Sequence, residues 1–189
     1  MADSLATGGV GECWHHVLNA ADDLLRQCEA TVDEVPDTVY AAESVVMPGG
    51  TVGKHLRHLL DHYRALLCAR DGGCVDYDRR ERDVPMEVDR GHARRMLSKT
   101  RGDIAGLVQI KSDTPVRVRV MVKGDGTEAV LASTIGRELA FATHHAVHHQ
   151  AMIKAIAGEF GVEMPGAVGK APSTANHEAR TADARGSER

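Results

Sequence analysis

Seven of the 11 histidines fall in two short windows, Lys54-His-Leu-Arg-His-Leu-Leu-Asp-His62 and Thr143-His-His-Ala-Val-His-His149. Imidazole titrates near neutrality and, when neutral, binds borderline divalent ions through a ring nitrogen. Two imidazoles four residues apart on a helix stand one turn above each other and can chelate a single ion. The chemistry these windows suggest is therefore metal coordination, with an open position for a water or a ligand wherever only three imidazoles converge. The neighbouring residues exclude two better-known arrangements. A zinc protease of the H-E-x-x-H type needs Glu after the first His, and Ala146 follows His145. Di-iron bundles need Glu-x-x-His turns, and Glu138 is followed three residues on by Phe141.

Helical periodicity separates inward from outward histidines. With Ile135 at the origin and ~100° per residue, Leu139, Ala142, Ala146, Ile153, Ile156, Ala157 and Phe160 define the buried face. His149 and His145 then lie near ~320° and ~280°, inside or beside that face, whereas His144 and His148 point away at about 180° and 220°. A single inward histidine is ordinarily a hydrogen-bonded core residue, but an inward pair opposite a second cluster points to an ion. On the earlier window Val52, Leu56, Leu59, Leu60 and Tyr63 form the apolar face. His55 and His62 flank it, His58 lies roughly 60° further round than His55, and periodicity alone leaves the third ligand open.

Four amphipathic segments must position these groups. The first runs from about Gly11 to Thr31, with Trp14, Val17, Leu18, Ala21, Leu25 and Cys28 at three- and four-residue steps. Pro36 and Pro48-Gly49-Gly50 break a long connection, Thr51 caps the second helix, and Asp71-Gly72-Gly73 ends it. A third, more polar helix spans about Asp89 to Val108, with Ala93, Met96, Thr100, Ile104 and Leu107 as its inner row. Val116–Val122 alternates, Lys123-Gly-Asp-Gly126 turns, and Thr127–Leu131 returns, the signature of a β-hairpin. Ser133 or Thr134 caps the fourth helix, which reaches about Phe160. The expected fold is all-α: an antiparallel four-helix bundle with long crossover connections and a small hairpin before the last helix, over residues 1–164. Residues 165–189, poor in large apolar side chains, are expected to be a disordered tail.

Composition narrows the function classes. At 189 residues the chain is one domain in length, and no apolar run reaches the ~18 residues of a membrane span. Net charge is −4, from 23 basic and 27 acidic residues, which argues against a partner made of nucleic acid. Four cysteines, Cys13, Cys28, Cys68 and Cys74, contain no C-x-x-C and no secretory signal precedes them, so a cytoplasmic protein with reduced thiols is expected.

Val52-Gly-Lys-His-Leu-Arg-His-Leu-Leu-Asp-His62 resembles the second-helix signature of DinB-like proteins. Ile135-Gly-Arg-Glu-Leu-Ala-Phe-Ala-Thr-His-His-Ala-Val-His-His-Gln150 resembles their metal-binding fourth helix. The resemblance covers about residues 11–160. It implies a four-helix bundle, often a homodimer, holding a divalent ion (Zn, Ni or Fe) on His58, His145 and His149, with His55 as the alternate to His58. It also implies a metal-dependent thiol S-transferase, or a related hydrolase or isomerase, acting on a small molecule such as a low-molecular-weight thiol, with His62 or Tyr77 moving protons. The competing expectation is a non-catalytic metal-binding stress-response protein. Val75-Asp-Tyr-Asp-Arg-Arg-Glu-Arg-Asp83 is similar to a block in one branch of that family; Tyr77 and Asp78 could close over the bundle end, and Arg137 and Glu138 could pair with them.

Overall fold

The computed structural model describes residues 10–79 and 83–187. Six helices and three strands are found among them: α1 (Val10–Glu34), α2 (Asp37–Tyr40), α3 (Val52–Cys68), β1 (Cys74–Asp76), α4 (Arg90–Ala105), β2 (Pro115–Met121), β3 (Glu128–Thr134), α5 (Ile135–Glu159) and α6 (Pro172–Ser187). The chain is thus mostly helical, as its periodicity implies, but it is not all-α. A mixed three-stranded sheet runs in the order β1-β2-β3.

Each long helix starts where a side chain can satisfy an orphan backbone N–H. Thr51 Oγ1 accepts from the Lys54 amide at 3.0 Å, Asp89 Oδ1 from that of His92 at 2.9 Å, and Thr134 Oγ1 from that of Arg137 at 3.2 Å. Thr134 rather than Ser133 caps α5, which frees the Ser133 hydroxyl for another bond described below. The helices bury the faces their spacing defines: Trp14, Leu18, Ala21, Leu25 and Cys28 from α1, and Leu56, Leu59, Leu60, Tyr63 and Leu66 from α3. In α5 the buried row is Ile135, Leu139, Ala142, Ala146, Ile153, Ile156 and Ala157. Phe160, expected in that row, sits at the helix end and is exposed, because the backbone has already left the helix there. The α3 helix packs on α5 and on α4, and α1 packs on both α4 and α5.

The hairpin forms as its alternation predicts. Val118 pairs with Leu131 across antiparallel strands, and the Val122 amide closes the turn on the Thr127 carbonyl. Val116 and Val118 point into the core while Arg117 and Arg119 face out. The parallel strand β1 pairs Val75 with Val118, and this was not expected. Three residues are too few to show alternation, and a parallel partner 43 positions away leaves no local signal. The same holds for α2, a single turn in a segment read as a connection, which exists to bury Tyr40 with its hydroxyl donating to the Met86 carbonyl at 2.7 Å. Beyond Pro165, where disorder was expected, α6 occurs; its described side chains are exposed, so nothing apolar along it reveals it in the sequence. No helix among the described residues is long and apolar enough to cross a membrane.

One close approach fixes where α3 lies. A Cβ on Gly53 would stand 2.0 Å from the Glu87 carbonyl oxygen and 2.8 Å from the Tyr40 ring. Glu87 ends a 3-10 turn, Pro85–Glu87, so the first turn of α3 is pressed against backbone that cannot swing away. Gly53→Ala is expected to cost about 2 kcal/mol or more through overpacking. Gly102→Ala, in an exposed and unobstructed position of α4, should stabilise by about 1 kcal/mol. Urea denaturation of the two variants checks this; a Gly53→Ala protein as stable as its parent would contradict the stated contact.

Candidate metal centre

The packing of α3 on α5 brings five histidines into one cluster. On α5, His145 and His149 lie one turn apart with their Nε2 atoms 3.0 Å from each other. On α3, His58 Nε2 is 3.3 Å from His145 Nε2, and His55 Nδ1 is 3.0 Å from His149 Nδ1. The His62 ring centre is 4.0 Å from that of His145. Ligand atoms of His58, His62 and His145 all lie within 4.8 Å of one another, so these three can hold a metal ion. His62 and His149 are buried and His55, His58 and His145 half-buried, while His144 and His148 are exposed, as the helical projection separated them. The projection placed His58 furthest from the apolar centre of α3. That centre faces the whole core, whereas the cluster lies on the flank turned to α5, where His58 reaches His145.

The donor chemistry fits an ion. A neutral imidazole nitrogen offers one N–H or one lone pair. His145 Nε2 nevertheless meets both His58 and His149, more than a single in-plane bond can satisfy. Lone pairs turned together onto a cation remove this conflict. Two nitrogens about 2.0–2.1 Å from one zinc ion at tetrahedral angles would be roughly 3.3 Å apart, and about 2.9 Å apart at right angles. The observed 3.0 and 3.3 Å fall on that scale. His62 Nδ1 lies 3.0 Å from the His58 carbonyl oxygen; as the donor of that bond it keeps its proton on Nδ1 and presents a lone pair on Nε2.

Behind His62 stands a polar support. The Tyr77 ring stacks on His62 at 4.8 Å. The Tyr77 hydroxyl donates to Glu138 Oε2 at 2.6 Å, and the Ser133 hydroxyl donates to Oε1 of the same carboxylate at 2.5 Å. Glu138 is buried, so both of its oxygens are held where water would otherwise be needed. Burial and the Glu138 carboxylate push the Tyr77 phenol well above its ordinary range, which keeps the hydroxyl a donor. Phe141 lies over His145, with ring centres 5.8 Å apart and nearly parallel, and the Arg137 guanidinium sits over Phe141. The pairing of Glu138 with the loop after α3 is present through Tyr77. Asp78 instead accepts the Met121 amide, at 2.6 Å, and ties that loop to the hairpin. Part of the 75–83 block, residues 80–82, lies outside the described residues.

An open cleft of about 690 Å³ reaches the cluster from the side of His55, His58 and His149, with Lys54, Glu87 and Met152 on its other walls. His62 and Tyr77 are not among the residues that line it. His62, expected to move protons, is also among the residues that could hold an ion; its four-residue step from His58, identical to that of His145 and His149, is the sequence signal for that.

Comparison with known proteins changes the functional expectation. The chain is similar to an FK506-binding protein. FK506-binding protein 5 of Rhizopus delemar is 38% identical over 166 residues, which are 85% of this chain and 37% of the relative. The chain therefore spans little more than a third of that relative's length. No family model matches, and no solved structure matches. The resemblance to DinB-like proteins is thereby overturned, and with it the expected thiol S-transferase, hydrolase or isomerase and the alternative stress-response protein. The short histidine windows carried that resemblance, and imidazoles at four-residue spacing arise wherever a helix pair builds a nitrogen donor set.

The cluster leaves a titration signature. Burial, followed by the neighbouring His62 and His148, holds His145 down to about 4, against an ordinary 6.5. Burial and then the adjacent His58, His145, His55 and His148 hold His149 down to about 2. His55 is lowered by burial and His148. Between these values and 6.5 the unfolded chain binds more protons than the folded one, so folding is favoured as pH rises. Stability is full above 6.5 and is lost as pH falls from there towards about 4. Thermal unfolding of the metal-free chain should occur at steadily lower temperature from pH 7 to pH 4.5, and His149→Leu should flatten that slope. A wild-type profile as flat as the variant's would contradict the packed neutral cluster.

Proposed function

We propose that this chain is a divalent-metal-binding helical domain, the counterpart of about a third of a longer FK506-binding protein, with the imidazole cluster as its metal centre. The observation that carries this reading is the approach of His145 Nε2 to His149 Nε2 at 3.0 Å on its own helix and to His58 Nε2 at 3.3 Å on the facing one. His58 and His145 are assigned as two of the donors because they also belong to the group, with His62, that could hold an ion; His55, in contact with His149, is the alternate to His58. His149 is assigned as the third because its Nε2 lies 3.0 Å from His145 Nε2. Imidazole donors suit Zn²⁺, Ni²⁺ or Fe²⁺ rather than Mg²⁺ or Ca²⁺, which take oxygen ligands. His62 and Tyr77 stand behind the donors as the side from which the ligand rings are oriented.

The scaffold reading that goes with this is a four-helix bundle of α1, α3, α4 and α5 with long crossover connections. Its support is the closed cycle of packing, α1 on α4, α4 on α3, α3 on α5 and α5 on α1. A bundle core built this way holds a metal between facing helices without help from loops. A reducing compartment, the cytoplasm, is consistent with four cysteines that form no disulfide.

A second reading comes from the relative's name: this chain itself binds FK506. The identity over 85% of the chain favours it. Metal analysis and ligand titration separate the two. Metal-replete wild type is expected to carry about one ion per chain. His58→Ala, His145→Ala and His149→Ala should each lose it, and His62→Ala should retain it with roughly 10–100-fold weaker affinity. A metal-free wild type would refute the metal centre, and loss in His62→Ala but not His149→Ala would move the third donor to His62. FK506 should leave the unfolding temperature unchanged; a saturable shift would assign macrolide binding to this part of the relative.

A further inference from the structure

The cleft beside the cluster suggests what would sit on the ion. Every donor assigned to the ion is a neutral imidazole, so none cancels its two positive charges. The protein's own charges in the cleft nearly balance. Arg57 Nη1 pairs with Glu87 Oε1 at 3.0 Å, and both are almost fully buried. Asp83, exposed at the rim, and Lys54 make up the remainder. Lys54 Nζ donates to the Gly49 carbonyl at 2.9 Å and lies 4.0 Å from Glu43, which holds the ammonium at the mouth. An ion bound between His58 and His149 therefore faces a solvent-open cleft with its own charge uncompensated, and the Lys54 ammonium, which shares the cleft with Asp83 and lies near Glu43, stands at the entrance.

The walls add a second requirement. Met47, Pro48 and Met152 give the cleft an apolar, polarisable surface beside the imidazoles. The Met47–Gly50 turn is closed by the Gly50 amide donating to the Met47 carbonyl at 2.8 Å. It comes so near the cluster that a Cβ on Gly50 would stand 3.1 Å from His55 Nε2. The turn thus forms one wall of a cleft of about 690 Å³, within the usual ~300–1,000 Å³ of small-molecule sites.

Resting on the metal-centre reading, we propose that the cleft binds a small organic oxyanion. Its charged head would take the open position on the ion and the Lys54 ammonium, and its apolar body would lie against Met47 and Met152. No bond is made or broken in this step beyond coordination, with a metal-bound water leaving as the oxyanion enters.

Cobalt(II) loaded into the full chain tests this, because its visible absorption reports the coordination of the ion. Titration with octanoate or octyl phosphate should shift the bands saturably, and octanoate should bind at least tenfold more tightly than acetate. Lys54→Met should weaken octanoate roughly threefold or more while leaving cobalt uptake unchanged. Failure to take up cobalt would overturn the metal centre itself. Cobalt uptake with bands that no oxyanion moves would overturn the ligand assignment alone, and equal affinity for acetate and octanoate would overturn the apolar seat.

Discussion

The structure depends on the packing of α3 against α5, which forces two histidine-rich helix faces into one partly buried volume. Imidazoles there cannot all be charged: desolvation and mutual repulsion favour the neutral form, and His145 and His149 are held far below their ordinary values for that reason. Neutral imidazoles that crowd lone pairs together are poor at satisfying one another and good at satisfying a cation. The fold creates a donor set, and the donor set leaves the fold sensitive to protons.

The remaining elements hold that contact in register. Gly53 lets α3 lie against the Pro85–Glu87 turn, whose Met86 carbonyl anchors Tyr40 and whose Glu87 anchors Arg57. On the other side, β1 carries the chain to Tyr77, which stacks on His62 and is bound through Glu138 to the start of α5. Ser133, the last-but-one residue of β3, grips the other oxygen of Glu138. The sheet thus connects to the donors through one buried carboxylate, and its parallel strand puts Tyr77 where the helices alone could not.

What could be read from the sequence follows from how local each signal is. Helix faces, the caps at Thr51 and Thr134, the hairpin and the inward pair His145 and His149 all rest on spacings of a few residues, and they are present. The strand β1, the helix turn at Tyr40 and the bond from Tyr77 to Glu138 depend on partners 43 to 61 positions apart and leave no periodic trace. His62 is a different case. Its four-residue spacing from His58 is legible, and its ligand atom lies within reach of those of His58 and His145, but spacing alone does not divide five clustered imidazoles into donors and supports. The family resemblance drawn from the same windows is removed by the similarity to an FK506-binding protein. Two histidine windows specify a donor chemistry; they do not specify a family.

X-ray absorption at the metal edge of the loaded protein tests the central claim most directly, because it reads the donor atoms themselves. The account predicts a first shell of nitrogen and oxygen at about 2.0–2.1 Å, with outer-shell scattering from at least three imidazole rings and no sulfur. A sulfur shell near ~2.3 Å, or a shell of oxygens without imidazole scattering, would contradict it.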